Sequence, residues 1–230
     1  MILMYHKVAQ PVLSPWFVSP DCFRRQMEDI RRRGFRVVYL EDYNPADSRQ
    51  LVITFDDVYS HLVQTAAPIL REFGFPFELF ILGGEQIDKG PEPSVPYATH
   101  DDLRALIAAG GRLQWHTMTH VNLQNALSDA ELDHELTVPE SFRQIDPQGF
   151  KWFAYPFGAF SPEAEEVVRR KFSGAVIIGS GLPSVDRHRL QRFAVHEATS
   201  LRYLGLPTSL KVFKALANLD FAYLFHARKK

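Results

Sequence analysis

Two carboxylates stand side by side in Thr54-Phe55-Asp56-Asp57, at the end of an apolar run. Like charges this close repel unless something offsets them. A divalent cation would do so, with one carboxylate as ligand and the other left to accept a proton from water. The same pair would equally suit a strand-end turn in which an aspartate caps a helix. A second cluster, Trp115-His116-Thr117-Met118-Thr119-His120, also follows an apolar run. Histidines four residues apart share one face of a helical turn and can bind one metal through neutral imidazole nitrogens. Thr117 stands where the His-Glu-x-x-His metalloproteases carry glutamate, which argues against peptide hydrolysis. Asp57, His116 and His120 together make a two-histidine, one-carboxylate set. Such a set leaves metal positions open for water and substrate, and it suits zinc as well as ferrous iron. A third cluster, Phe153-Ala154-Tyr155-Pro156-Phe157-Gly158-Ala159-Phe160, puts aromatics beside Pro and Gly. It reads either as an ordinary hydrophobic turn or as a rigid wall whose backbone N–H steadies an oxyanion.

These clusters need a scaffold that gathers distant strand ends. Apolar runs at 2–5, 35–40, 51–55, 75–82, 113–116, 150–155 and 174–178 read as strands. Amphipathic stretches near 20–33, 60–73, 100–109, 129–145 and 162–172 read as helices. Ser128-Asp129-Ala130-Glu131 has the form of a capping box, and Ser161-Pro162 places proline at a first helical position. Gly34, Gly74 and Gly110 sit where helices should stop. The alternation predicts parallel strands joined by helical crossovers, in an α/β barrel or an open sheet. Either architecture collects chemistry at the C-terminal strand ends, and all three clusters directly follow a strand run. Residues 83–96 read as one long surface loop, and 1–230 as a single domain.

Hydrophobic residues make up 46% of the 230 and charged residues 23%, which supports a sizeable core. A net charge of −1 gives no overall field toward nucleic acid, so a polar ligand must be recognised locally. Cys22 is the only cysteine, which excludes an internal disulfide. No run approaches the roughly 20 apolar residues that span a bilayer. The opening Met1-Ile2-Leu3-Met4-Tyr5-His6 reads as a buried strand rather than a leader, so a cytoplasmic location is expected. Beyond Thr199, Arg202, Lys211, Lys214, Arg228, Lys229 and Lys230 face a single acid, Asp220. This basic stretch, interleaved with Leu, Phe and Tyr, suits either peripheral contact with an anionic membrane face or a closing helix with solvated lysines.

Read in order, Met4-Tyr5-His6-Lys7-Val8, Thr54-Phe55-Asp56-Asp57, His116-Thr117-Met118-Thr119-His120 and Ala154-Tyr155-Pro156-Phe157-Gly158 resemble the motifs of the polysaccharide deacetylases. That is the NodB-like group, carbohydrate esterase family four. The resemblance extends from about Met1 to Phe193. It implies a distorted (β/α) barrel of about seven parallel strands. It also implies metal-dependent removal of an N- or O-acetyl group from a sugar of a polysaccharide, surface glycan or lipid-linked glycan. Carried over by position, Asp56 is similar to the catalytic base, and Asp57, His116 and His120 to the ligands of one zinc-like ion. Phe157 matches the residue whose backbone N–H helps form the oxyanion hole, with Tyr155 and Pro156 beside it at the substrate. Deformylases and small-amide amidohydrolases on the same barrel, or a catalytically dead glycan-binding relative, are the alternative readings.

The chain departs from the family pattern at several places. Val58 replaces the glycine that follows the paired aspartates, so a β-branched residue must make the turn. Ala154 replaces the arginine of the third motif, and Arg192 is the candidate to orient the base in its stead, with His6 as another orienting candidate. An Asp-Trp fourth motif is missing. For the general acid, His226 in Tyr223-Leu224-Phe225-His226 is the expected residue, with His196 and His6 as competitors. His61, His100, His134 and His188 read as surface or cap residues.

Overall fold

The computed structural model describes residues 1–84, 96–179, 184–199 and 201. In chain order these form β1 (Ile2–Tyr5), β2 (Lys7–Val8), β3 (Phe17–Val18), α1 (Pro20–Arg32), β4 (Arg36–Val37), β5 (Gln50–Asp57), α2 (Leu62–Phe73), β6 (Phe77–Ile81), α3 (His100–Ala108) and β7 (Gly111–Trp115). There follow α4 (Asp129–Leu136), α5 (Glu140–Ile145), β8 (Trp152–Ala154), α6 (Pro162–Lys171), β9 (Gly174–Ile178) and β10 (Leu190–Ala194). Seven strands pair in parallel in the order β1-β10-β9-β8-β7-β6-β5, and β1 pairs with β5 to close the ring. The fold is the expected α/β barrel. β5 also carries β4 on Gln50 and Leu51, before β1 takes over at Val52.

Seven strands are expected and seven form the ring, but one of them differs. The run at 35–40 yields only the two-residue β4 outside the closed ring, followed by a 3₁₀ turn at Leu40–Asp42. Its place is taken by β10, Leu190-Gln191-Arg192-Phe193-Ala194. Gln and Arg break the apolar signal there, because the barrel interior holds a guanidinium at this strand.

Strand side chains alternate between two cores. Leu51, Ile53 and Phe55 of β5, Phe77, Leu79 and Ile81 of β6, and Leu113 and Trp115 of β7 pack in the larger core together with residues of the helices. Ile2, Val52, Phe80, Trp152, Ala154, Val176 and Leu190 form the barrel's own core. The inner parity, continued toward the C-terminal ends, falls on His6, Thr54, Asp56, His116 and Arg192. The polar set therefore reaches one mouth of the barrel.

The helix signals hold in part. Ser128 and Glu131 form the capping box at α4, Ser161 caps α6, and Gly74 ends α2 in the left-handed region at φ 68°. The helix expected over 129–145 is instead two, α4 and α5, because Pro139 lacks a backbone N–H and forces Val138 out of helical geometry. Of the expected loop at 83–96, residues 85–95 lie outside the described residues.

Candidate metal centre and active site

Asp56 ends the inward face of β5 and is 2% exposed. Arg192, fully buried on β10, grips it with both arms: one guanidinium nitrogen donates to Oδ1 at 2.5 Å and the other to Oδ2 at 2.6 Å. The first arm also donates to Thr54 Oγ1 at 3.2 Å. Burial works against the charged carboxylate, yet the Arg192 guanidinium outweighs it and holds Asp56 at about 2. Arg192 is thus the partner of Asp56 across 136 residues of sequence.

The chain then turns sharply. Asp57 and Val58 both take positive φ, 66° and 52°, and the Val58 N–H donates to Asp56 O at 2.8 Å. This turn brings Asp57 Oδ1 to 3.8 Å from His116 Nε2 and 3.7 Å from His120 Nε2. Ligand atoms of all three residues lie within 4.8 Å of one another. Asp57 Oδ1 is buried and has no hydrogen-bond partner. His116 Nδ1 lies 2.7 Å from Ala154 O, a bond that assigns the proton to Nδ1 and leaves the Nε2 lone pair facing the centre. Burial lowers the His116 imidazole to about 4, so it is neutral at ordinary pH. An orphaned carboxylate oxygen beside a neutral imidazole nitrogen is a donor set that fits one divalent cation.

His116 and His120 do not meet on a helical turn, as their spacing suggests. They lie in an irregular loop in which Thr117 and His120 take φ of 75° and 62°. Side chains replace the missing helical bonds. The His120 N–H donates to Thr117 Oγ1 at 2.9 Å, and Thr119 donates its N–H and hydroxyl to the two oxygens of Glu135 at 3.0 and 2.8 Å. Among the described residues, the non-glycine residues with positive φ are Asp57, Val58, Thr117, His120, Phe150 and Phe157, and all but Phe150 belong to the motif segments at this mouth. Each such residue costs on the order of 1–3 kcal/mol, which persists where surrounding structure enforces it, as it does at functional sites.

The third motif divides its residues. Pro156 is buried, while Phe157, at φ 60° and 58% exposed, lays its ring against His120 at 4.7 Å between centroids. Tyr155 requires a correction. Its side chain is fully buried in the larger core, against Phe153 and Phe160 at 5.1 and 4.3 Å, so it does not face a substrate. Strand parity is the reason, because Tyr155 follows the inward Ala154.

Of the general-acid candidates, His226 lies outside the described residues, as does the basic stretch from Arg202. His6 is half-buried against Trp16 at 4.6 Å, and its charge interacts with Asp57, Asp56, Arg192 and His120. Burial lowers its pKa. His196 Nδ1 is engaged with Pro15 O at 2.7 Å. Its neighbour Glu197 accepts from Ser19 N–H and hydroxyl at 2.7 and 2.8 Å, at the start of α1. His61 is the N-cap residue of α2, as a cap reading expects, although its ring makes no cap hydrogen bond; it is half-buried, and burial lowers it to about 4. Sequence reasoning missed Tyr59, whose hydroxyl donates to Asp57 Oδ2 at 3.2 Å, and Glu135, which no local pattern links to the histidine loop.

The sequence model of the polysaccharide deacetylase family matches residues 43–171, more than half of the chain. Protein YxkH of Bacillus subtilis (strain 168) is 23% identical over 171 residues, covering 70% of this chain and 58% of YxkH. The chain therefore spans less than two thirds of that relative's length. Among solved structures, Streptococcus pyogenes deacetylase PplD in complex with acetate is similar at a TM-score of 0.75 and 22% identity, covering 90% of this chain and 97% of PplD. IcaB from Ammonifex degensii is similar at 0.70 and 19%, covering 94% and 95%. At such identities these structures establish the barrel fold. The family match spans Asp56, Asp57, His116, His120 and Phe157, and by that match the chain belongs to the polysaccharide deacetylase family.

Proposed function

We propose that the chain is a metal-dependent hydrolase that removes an acetyl group from an amino sugar of a glycan. One observation carries the reading: Asp57 Oδ1, without a partner, stands within 4 Å of two imidazole nitrogens while Asp56 is held as a separate anion by Arg192. Family membership supports the reaction class, and the solved relative PplD was captured with acetate, the acid that such a reaction releases.

Asp57, His116 and His120 would hold one divalent ion, zinc in this reading, which supplies Lewis acidity toward water and the acyl carbonyl. Asp56 accepts the proton of the attacking water, and the two-armed grip of Arg192 keeps its carboxylate anionic and aimed. The Phe157 turn presents backbone toward the oxygen that gains charge, and its ring walls the site beside His120. In this reading a protonated histidine donates to the leaving amine as the carbon–nitrogen bond breaks, and His6, whose imidazole interacts with Asp56 and Asp57, is the candidate among the described residues. His116 keeps its orientation through Ala154 O.

Metal analysis of the purified chain, paired with acetate release from N-acetylated glucosamine oligomers, tests the proposal. Stoichiometric zinc with acetate release is the expected result. Formate release from N-formylated sugars alone would redirect the reading to a deformylase. Absence of hydrolysis after loading with zinc, cobalt or iron would sink it in favour of a glycan-binding role.

A further inference from the structure

Asp57 uses its two oxygens differently. Oδ1 faces His116 and His120 with no hydrogen bond, whereas Oδ2 accepts from the Tyr59 hydroxyl at 3.2 Å. Tyr59 is itself fixed. It is 4% exposed, its ring stacks on Tyr97 with centroids 5.0 Å apart, and its backbone bridges that of Tyr97. The Lys7 ammonium, also 4% exposed, lies 4.6 Å from the Tyr59 ring centroid and 4.9 Å from that of Phe17. A desolvated ammonium over an aromatic face is attracted strongly and draws electron density from the ring. The phenol hydroxyl then becomes a better donor to a carboxylate.

We propose that Tyr59, held by Lys7, is a positioning residue that restricts Asp57 to one metal-facing oxygen; this rests on the metal-centre reading above. With Oδ2 engaged by the hydroxyl, a cation would be offered Oδ1 alone, leaving room beside it for water and the acyl oxygen. Without the hydroxyl, the carboxylate is able to turn or to offer both oxygens. Lys7 then has a function distinct from that of its neighbour His6: it links the first motif to the paired aspartates through one aromatic ring.

The test uses the full chain as wild type, Tyr59→Phe and Lys7→Met. Zinc affinity is read by competition with a chromogenic chelator, and coordination by the visible spectrum of the cobalt-loaded protein. Tyr59→Phe keeps the ring and its stack, and should bind zinc 10- to 100-fold more weakly, the usual effect of removing a partner behind a metal ligand. Its cobalt band should also weaken as the carboxylate spreads over two positions. Lys7→Met keeps the apolar stem and the hydroxyl, and should lose about threefold in affinity. Unchanged affinity and spectrum in Tyr59→Phe would overturn the proposal. Should that variant fail to fold, unchanged affinity in Lys7→Met overturns it instead. A wild-type chain that binds neither zinc nor cobalt would overturn the metal-centre reading itself, a result visible before any variant is made.

Discussion

Asp56 shows how a single residue is tuned by its partner. A buried carboxylate alone would rise in pKa, but the fixed guanidinium of Arg192 keeps it anionic down to about 2. In the proposed reaction a base held this low takes a proton only from water made acidic by a cation, so that proposal requires Asp56 and the Asp57 centre to act together. Asp56→Asn is expected to lower turnover by about 10²–10⁴-fold while zinc content stays near stoichiometric. Undiminished turnover would remove Asp56 from the base role. Arg192→Met leaves a buried carboxylate unpaired, and should cost about 3–5 kcal/mol in chemical denaturation. Arg192→Lys should unfold less readily than Arg192→Met yet still lose turnover, because an ammonium cannot grip both oxygens. At this scale much was legible: the types and order of Asp56, Asp57, His116 and His120 mark out the donor set that the structure brings together. Tyr155 misleads because its neighbours in sequence, unlike its side chain, face the mouth.

The element that carries His116 and His120 is a loop, and its geometry is borrowed from α4. Glu135 accepts two hydrogen bonds from Thr119 and sits 7% exposed between loop and helix. Glu135→Ala leaves both donors unsatisfied. It should destabilise the fold by about 2–3 kcal/mol and weaken zinc binding, since His120 loses its fixed approach. Zinc affinity equal to wild type would show that the Thr117 hydroxyl alone holds the loop. The sequence does not display this device, because Glu135 is one of several acids on a short amphipathic helix. The break between α4 and α5 is different: Pro139 announces it, and the apolar periodicity across 129–145 obscures it. β10 is hidden by the very arginine that grips Asp56.

At the scale of the whole barrel, the end opposite the site holds a second buried acid. Glu78 on β6 is fully buried, accepting from the Leu40 N–H at 2.7 Å and from Gln114 Nε2 at 2.8 Å, and burial raises it to about 7. The folded chain therefore keeps a proton that the unfolded chain releases near its ordinary 4.5. Its contribution to stability falls as pH rises from 4.5 to 7 and is level above, by about 3 kcal/mol. His116 and His61, buried neutral at about 4, slope the other way up to 6.5. The readout is accordingly the difference between wild type and Glu78→Gln in denaturation at pH 5 and pH 8, and a parallel pair of profiles would contradict the assignment. Barrel closure also depends on Gly174, where a methyl would stand 2.3–2.8 Å from atoms of the Trp152 ring. Gly174→Ala should cost about 1–3 kcal/mol, seen as a lower melting temperature.

The sequence by itself determined what is local: which strands alternate, where the caps lie, and that four chemically costly side chains each follow an apolar run. Period-two alternation is a property of a strand alone, so it sets Asp56 on the face of Thr54 and opposite Phe55, while a run apolar on both faces leaves the choice of inward face to the closed ring. Tertiary structure decided what depends on distance in sequence. It paired Arg192 with Asp56, gave Oδ1 of Asp57 to the imidazoles and Oδ2 to Tyr59, and set His6 among the site's charges. Such choices require β1 and β10 to lie side by side, with Ile2 beside Arg192, and only closure of the ring fixes that register.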